Sequence, residues 1–193
     1  MIITGASPDE CWPLVRDYHY SKRMPSSVQH CFVMRRPGGL FGDTGEVVAA
    51  VIYGIGINNN WPLDALELQR LVRRDDINIT LSSLVSFSLR WLKKNRNWGF
   101  VYTYADSTQN HHGGIYQASN FRFVYESPAM TDGFINTRTG ETKHGRSLRH
   151  SNPFTKKLIE HLTESPEWVP RRLEKKYCYI YPMIVTGKRI AMS

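Results

Sequence analysis

Long apolar runs and paired cysteines are both scarce in this chain of 193 residues. No run approaches the ~18 apolar residues that a transmembrane helix needs, so we expect no membrane span. The first ten residues lack the basic and apolar regions of a secretory signal peptide. The three cysteines, Cys11, Cys31 and Cys178, have neither the spacing of a zinc site nor an even number. These absences predict a cytoplasmic protein without a disulfide framework.

Acidic residues are fewer than basic residues in this chain. Asp and Glu number 17 against 25 Lys and Arg, which gives a net charge of +8. A basic domain is compatible with nucleic acid, an anionic membrane or an acidic small ligand as its partner. The hydrophobic content of 41% supplies a buried core, and the charged content of 22% is too ordinary for wholesale disorder. We predict a single domain over 1–193, with a catalytic core at 1–130 and a basic extension with the last strand at 131–193.

Apolar periodicity predicts an α/β or α+β protein with a mixed sheet. The first third is otherwise loop-rich, because Trp12-Pro13 and similar breakers interrupt it. Helical spacing predicts a long helix after Asn78-Ile79-Thr80, a short one at 114–119 and an amphipathic one at 153–162. A strand, a helix and a strand at this spacing require a parallel crossover. Strands are predicted at 29–34, 46–54, 66–72, 100–105, 121–125 and 177–181.

Several residue blocks resemble known families. The order of elements between Glu67 and Phe121 resembles the core of the GNAT acyltransferase superfamily. Three blocks resemble a narrower group, the phage Mom family. They are Tyr104-Ala105-Asp106 followed by His111 and Gly113, Tyr116-Gln117-Ala118-Ser119-Asn120-Phe121, and the early His19-Tyr20-Ser21-Lys22-Arg23-Met24-Pro25. The resemblance covers roughly residues 15–125, with a weaker one at 177–182. It implies a GNAT-like fold with a basic C-terminal extension, and a transferase that converts adenine in duplex DNA to its N6-carbamoylmethyl form.

The segment before the long helix departs from the GNAT pattern. Where GNAT enzymes have a glycine-rich loop around the CoA pyrophosphate, this chain has Arg73-Arg74-Asp75-Asp76-Ile77-Asn78-Ile79-Thr80. Glycine lets a backbone approach a phosphate closely, whereas aspartates repel one. We therefore expect weak or absent acetyl-CoA binding and leave the donor unknown. The amides of Ser82 and Ser83 and the side chain of Arg70 are candidates for holding an anionic part of it.

Asp106 and Tyr116 are the candidate acid–base pair. Asp106 ends a predicted strand, where α/β sheets present functional groups, and its carboxylate can accept a proton from an amine. From the residues alone, Asp106 is more simply a turn cap and Tyr116 a ring packed on the sheet. The resemblance implies instead that Asp106 is the base and Tyr116 the acid, converging on one pocket with Arg70 beneath them.

Arg70 lies in a predicted strand whose alternation places it on one face with Leu68. An arginine in a core strand needs an anionic partner. Two partners remain open, an internal salt bridge with Asp106 or an anionic group of the donor.

His19 and Tyr20 lie in a stretch predicted as loop. The resemblance implies that they shape a pocket for a flipped adenine, with Tyr18 and Trp61 as further candidates to hold the base. A lone loop histidine is usually neither a base nor a ligand. His19, His111 and His112 are candidates for a metal site, but adjacent histidines on a loop often point apart, so no metal is predicted. No zinc-deaminase signature, Asn-Pro-Pro-Tyr motif or Gly-x-Gly-x-x-Gly motif is present.

Basic residues concentrate near the C-terminus and are candidates to grip DNA phosphates. Any one of them is equally compatible with a solvated surface. The candidates are Arg138, Lys143, Arg146, Arg149, Lys156, Lys157, Arg171 and Arg172.

Taken together, the residues and the resemblance predict a Mom-like DNA-modifying enzyme that protects phage DNA from restriction. Its partners are double-stranded DNA and a small activated donor, not a membrane, and the oligomeric state is open. The alternatives are an acetyl-CoA-dependent GNAT acetyltransferase of a small amine or protein, and a DNA-binding protein without activity.

Overall fold

The computed structural model describes residues 1–38, 45–56, 61–109, 111–149 and 152–183. The chain forms two compact units. The first contains Met1–Tyr104, Gly113–Tyr125 and Cys178–Ser193, and the second contains Ala105–His112 and Glu126–Tyr177. The predicted division into a core and an extension at residue 130 stays a prediction.

Ten strands and four α-helices make up the described part of the chain. The strands are β1 (Ile2–Ala6), β2 (Val28–Arg35), β3 (Val47–Gly54), β4 (Ala65–Arg73), β5 (Phe100–Asp106), β6 (Arg122–Ser127), β7 (Met130–Asn136), β8 (Thr142–Lys143), β9 (Trp168–Leu173) and β10 (Lys176–Pro182). The helices are α1 (Pro8–Tyr18), α2 (Leu81–Asn95), α3 (Gly114–Gln117) and α4 (Pro153–Glu164). None of these helices is long and apolar enough to cross a bilayer.

A seven-stranded sheet in the order β1-β2-β3-β4-β5-β10-β6 confirms the predicted mixed α/β class. The strands β1 to β4 pair antiparallel, and β5 joins β4 in parallel because α2 crosses over between them. β3 is buried on both faces, as its continuous apolar run indicates. On one face Cys11 and Val15 of α1 pack against Ile52 of β3. On the other, Tyr53 bonds to Ser88 of α2.

The helix α1 and the strand β1 lie where the sequence predicts loops. Ser7 caps α1 by accepting the Glu10 N–H, and the Glu10 carboxylate accepts the Ser7 N–H at 2.8 Å. Pro8 occupies the first turn, where its missing N–H costs nothing. The breaker Pro13 is accommodated inside the helix. The Ser-x-x-Glu spacing was the signal that predicts this helix.

The second unit contains a three-stranded sheet in the order β8-β7-β9, together with α4. The helix α4 confirms the prediction, and the Asn152 side chain caps it by accepting the Thr155 N–H at 2.8 Å. The strands β7 and β9 were not predicted, because Gly133 and Pro170 interrupt their apolar patterns. Pro170 is tolerated because β9 is an edge strand of this sheet.

Candidate functional site

The first unit contains a crevice between β4 and β5. Over the described residues the parallel ladder joins Ala65–Glu67 to Phe100–Tyr102 and extends no further, although both strands continue. Past that point the Thr103 hydroxyl donates to the Leu68 carbonyl at 3.0 Å. Two parallel strands that separate toward their carboxyl ends leave a crevice where open α/β sheets bind ligands. We take this crevice as the candidate site.

A β-bulge in β4 decides which side chains face the crevice. Tyr53 of β3 lies opposite Leu68, and Ile52 lies opposite Arg70, so Gln69 is the extra residue. Because Ile52 and Tyr53 point to opposite faces of the sheet, Leu68 and Arg70 do so as well. The predicted shared face of Leu68 and Arg70 is therefore wrong, since strict alternation does not survive a bulge.

Arg70 is partly buried and is hydrogen-bonded to backbone carbonyls. Its Nε donates to the Arg23 carbonyl at 3.2 Å and its Nη1 to the Gln69 carbonyl at 2.7 Å. Burial lowers the pKa of the guanidinium, which the nearby Tyr20 and Glu67 oppose. Within the described part of the first unit Arg70 makes no ion pair. It is a partly desolvated cation that a ligand anion can pair with.

Tyr116 brings a phenol to the same crevice. Burial raises the pKa of Tyr116, while a hydrogen bond with Thr103 lowers it and the nearby Tyr20 raises it. Its ring packs against Tyr179 and Phe121, with 5.7 Å between centroids in each pair. The ring therefore packs on the sheet, as its simpler interpretation predicts, while its hydroxyl reaches Thr103. The packing of the Tyr116 ring is therefore compatible with a chemical role for its hydroxyl.

Gly113 allows α3 to bring Tyr116 to this position. Gly113 precedes the helix with a φ of 76°, in the left-handed region. A Cβ at Gly113 would overlap the ring of Tyr179. Only glycine satisfies both conditions, which explains the glycine in the His-Gly turn.

Gln69 supplies a buried acceptor that the sequence analysis did not identify. Its Nε2 donates to the Ile55 carbonyl at 3.2 Å and to Glu67 Oε2 at 3.4 Å. Its Oε1 is buried and accepts no hydrogen bond from any residue the structure describes. An unsatisfied buried acceptor costs about 1–3 kcal/mol, which a ligand N–H would recover.

His19 and Tyr20 directly follow α1, in the bend and turn where the sequence predicts a loop. His19 is the buried C-cap of the helix, and its Nδ1 accepts the Ser21 N–H at 3.1 Å. The His19 and Tyr20 rings stack at 4.4 Å. Tyr20 lies close enough to Arg70 and to Tyr116 to raise the pKa of each. The first unit thus brings together the predicted residues Arg70, Tyr116 and Tyr20, with His19 stacked beside them.

Asp106 belongs to the second unit, where its carboxylate contacts two other residues. Its Oδ1 accepts the Thr108 N–H at 3.0 Å, and its Oδ2 lies 3.4 Å from the Lys176 ammonium. The turn-cap interpretation of Asp106 is therefore confirmed, and its cationic partner is Lys176. Its role as a base and its convergence with Tyr116 stay predictions.

The histidine candidates for a metal site belong to different units, His19 to the first and His111 and His112 to the second. Across the ranges that the structure describes, no three His, Cys, Asp or Glu side chains are arranged to hold a metal ion. His111 follows the Asp106 turn, its N–H bonding to the Asp106 carbonyl at 3.2 Å. His112 and His111 are both exposed.

The segment before α2 does not fit a CoA pyrophosphate. Arg74 forms ion pairs with Asp76, at 2.7 Å, and with Glu46, and it lowers the pKa of the Asp76 carboxyl. Arg73 donates to the Ile77 carbonyl at 2.8 Å, so the segment closes on itself. Of the candidates at the helix start, the Ser83 hydroxyl donates to the Thr80 carbonyl at 2.8 Å, and Ser82 is only partly exposed.

Many of the predicted DNA-binding cations in the second unit are paired with carboxylates. These pairs are Arg138–Glu167 at 3.3 Å, Lys143–Glu141 at 2.6 Å, Arg149–Asp132 at 3.6 Å and Arg172–Glu174 at 3.7 Å. Lys156 and Lys157 are exposed on α4, and Arg171 is partly exposed on β9. The side chain of Arg146 lies outside the described residues.

Comparison with known proteins identifies a family and a fold. The Mom protein family matches residues 1–192. No curated protein sequence matches the chain. Similar solved structures include the ribosomal-protein-S18-alanine N-acetyltransferase of Escherichia coli, with 9% identity, 99% of each chain covered and a TM-score of 0.54. A Bacillus subtilis acetyltransferase in complex with CoA has 12% identity, 94% of this chain and 98% of the other covered, and a TM-score of 0.53. At such identities the likeness shows the GNAT-like fold alone.

Proposed function

From the premise that the chain belongs to the Mom protein family, we propose that it transfers a group to the exocyclic amine of adenine in duplex DNA. The product is N6-carbamoylmethyladenine, which protects phage DNA from restriction. The crevice between β4 and β5 carries this proposal, because it gathers a partly desolvated cation and a partly buried phenol in a GNAT-like transferase fold. The adenine has to leave the base stack, since its amine is paired within the duplex.

The reaction requires one bond to form and one to break. The adenine N6 bonds to an electrophilic carbon of the donor, and the bond from that carbon to its leaving group breaks. The proton lost from N6 passes to Asp106, and the leaving group takes the proton of Tyr116. A phenol with a raised pKa keeps its proton through neutral pH, as this role requires.

The remaining residues of the crevice bind and orient. Arg70 pairs with an anionic group of the donor, since its own hydrogen bonds leave its charge unneutralised within the first unit. The stacked rings of His19 and Tyr20 form one wall of the pocket for the flipped base.

The experiment is mass spectrometry of nucleosides from the DNA of cells that express the protein. We expect a modified adenine that is absent from cells carrying an empty vector. Unmodified DNA together with intact DNA binding would assign the chain to the class of non-catalytic DNA-binding proteins instead.

Acetyl-CoA is not the expected donor, because the segment before α2 lacks glycine and closes on itself. We predict that calorimetric titration with acetyl-CoA gives little or no binding. Micromolar affinity, equivalent to about −8 kcal/mol, would contradict this prediction and favour the acetyltransferase alternative.

A further inference from the structure

The second half of α2 carries an unneutralised cationic and aromatic surface. Phe87, Arg90, Trp91 and Lys94 recur at helical spacing and, with Asn95, line a groove of about 360 Å³. We call these five residues the α2 groove. They lie beside the buried face of the helix and not within it.

The cations around the α2 groove have no acidic residue beside them on the helix or in the segment that follows it. Arg90, Lys93, Lys94 and Arg96 are exposed, and residues 81–99 include no Asp or Glu. Among the residues that the structure describes, none of these cations is ion-paired, in contrast to Arg138 or Arg149 of the second unit. Basic residues at a helix C-terminus suit its dipole, which accounts for Lys93, Lys94 and the C-cap Arg96 but not for Arg90, one turn earlier.

Aromatic packing holds this surface in place. The Arg96 guanidinium lies 5.1 Å from the centre of the Trp91 ring, and Trp91 packs edge-on against Phe32 at 5.3 Å. The Asn95 amide donates to the Trp91 carbonyl at 2.8 Å. A cation fixed over a supported ring loses little entropy when it pairs with a phosphate.

The α2 groove is distinct from the crevice. α2 begins after the carboxyl end of β4 and ends before the amino end of β5, so its second half lies toward the strand edge opposite the crevice. A helix of 15 residues is about 22 Å long, which separates the two ends by several base pairs of DNA.

We propose that the α2 groove and its flanking cations bind the phosphodiester backbone of duplex DNA, away from the base that is modified. Exposed cations without carboxylate partners complement a polyanion, and fixed Arg and Lys side chains are the usual contacts to phosphates. The choice of duplex DNA as the polyanion rests on the proposed function, whereas the surface itself does not.

The test compares salt-dependent binding to a duplex oligonucleotide. Arg90→Gln/Lys94→Gln removes two charges without adding repulsion. The matched control is Arg36→Gln/Arg122→Gln, at two exposed cations of the same unit that make no ion pair among the described residues. We expect the α2 variant to flatten the slope of log K against log salt by about 2 and to lose affinity by on the order of 30-fold at 0.15 M salt. The control variant should leave the slope unchanged and keep the affinity within about twofold of the wild-type value.

Three outcomes overturn the inference, and a fourth overturns only the proposed function. Equal effects of the two variants would mean that only net charge matters. Equal competition by polyglutamate and by duplex DNA would assign the surface to acidic partners in general. If cells that express the wild-type protein lack modified adenine, the proposed function fails, while the result of this binding comparison still holds. If adenine is modified and the α2 variant binds normally, the inference alone fails.

Discussion

Desolvation acts on both ionisable side chains that we place in the crevice, Arg70 and Tyr116. Burial lowers the pKa of Arg70 and raises that of Tyr116, because in both cases it disfavours the charged form. An arginine remains cationic at neutral pH despite such a shift. The crevice therefore offers one fixed cation and one fixed proton donor.

The first residue-scale prediction concerns the acid–base pair. Tyr116→Phe keeps the ring packed on Tyr179 but removes the hydroxyl, and Asp106→Asn keeps the bond to the Thr108 N–H but removes the carboxylate. Each change should lower adenine modification by about 10²–10⁴-fold while thermal stability and DNA affinity hold. Tyr125→Phe, at an exposed tyrosine of β6, is the control. Near-normal modification by both site variants would make these residues structural.

The second residue-scale prediction concerns pH and His30. Burial and the nearby Arg96 lower the pKa of His30, so its ring is neutral where its Nε2 accepts the Trp98 indole N–H at 3.4 Å. The unfolded chain binds a proton more readily, so stability should fall as the pH drops below about 6.5. Melting temperatures from pH 7.5 to 5 measure this, and His30→Gln should flatten the curve. An unchanged curve for that variant would place the pH dependence elsewhere.

At the scale of elements, one extra residue in β4 sets the geometry of the crevice. The bulge at Gln69 reverses the faces of all residues after it, which moves Arg70 away from the α2 side and toward the end of α1. It also lies where β4 and β5 separate. The bulge needs room on β3, and Gly54 provides it.

The element-scale prediction is that Gly54→Ala destabilises the sheet. A Cβ there would overlap the Ser27 carbonyl and the Gln69 Oε1, so the strands would have to move. We expect a loss of about 1–3 kcal/mol in the free energy of unfolding, measured by urea titration. Gly5→Ala in β1 is the matched control, because a Cβ at Gly5 meets nothing within 4 Å. A loss no larger than that of the control would contradict close packing at the bulge.

At the scale of the whole molecule, the net charge is +8, but the basic side chains are not all equally available to bind an anionic partner. Several cations of the second unit already pair with carboxylates, whereas those of α2 do not. Exposed ion pairs are worth little and exchange readily for phosphates. Both surfaces therefore remain candidates to contact DNA, with α2 requiring no exchange of partners.

The whole-molecule prediction is a steep salt dependence of duplex binding. Affinity should fall as salt rises, by about 0.9 in log K per log unit of salt for each phosphate contact. Charge reversal at Arg146 and Arg149 should flatten that slope, which fluorescence anisotropy at several salt concentrations measures. A salt-independent interaction, or none, would contradict the assignment of DNA as the partner.

Periodicity along the sequence was sufficient for the elements that bury a continuous or regularly spaced apolar face. β3, α2 and α4 were predicted because their own residues carry that pattern. The residue blocks around His19, Asp106 and Tyr116 were sufficient for the family, which the match over residues 1–192 confirms. The helix α1 was within reach as well, through the capping pair Ser7 and Glu10.

The sequence by itself thus determined the class of fold, the family and most of the long elements, while only the tertiary structure decided which side chains meet. The bulge at Gln69 depends on pairing with β3, and the contact of Tyr116 with Thr103 depends on where β5 separates from β4. The pairing of Arg149 with Asp132 and the lack of any described partner for Lys94 are likewise set between distant segments. Local patterns record burial along one element, whereas register, separation of strands and ion pairing arise from contacts between elements.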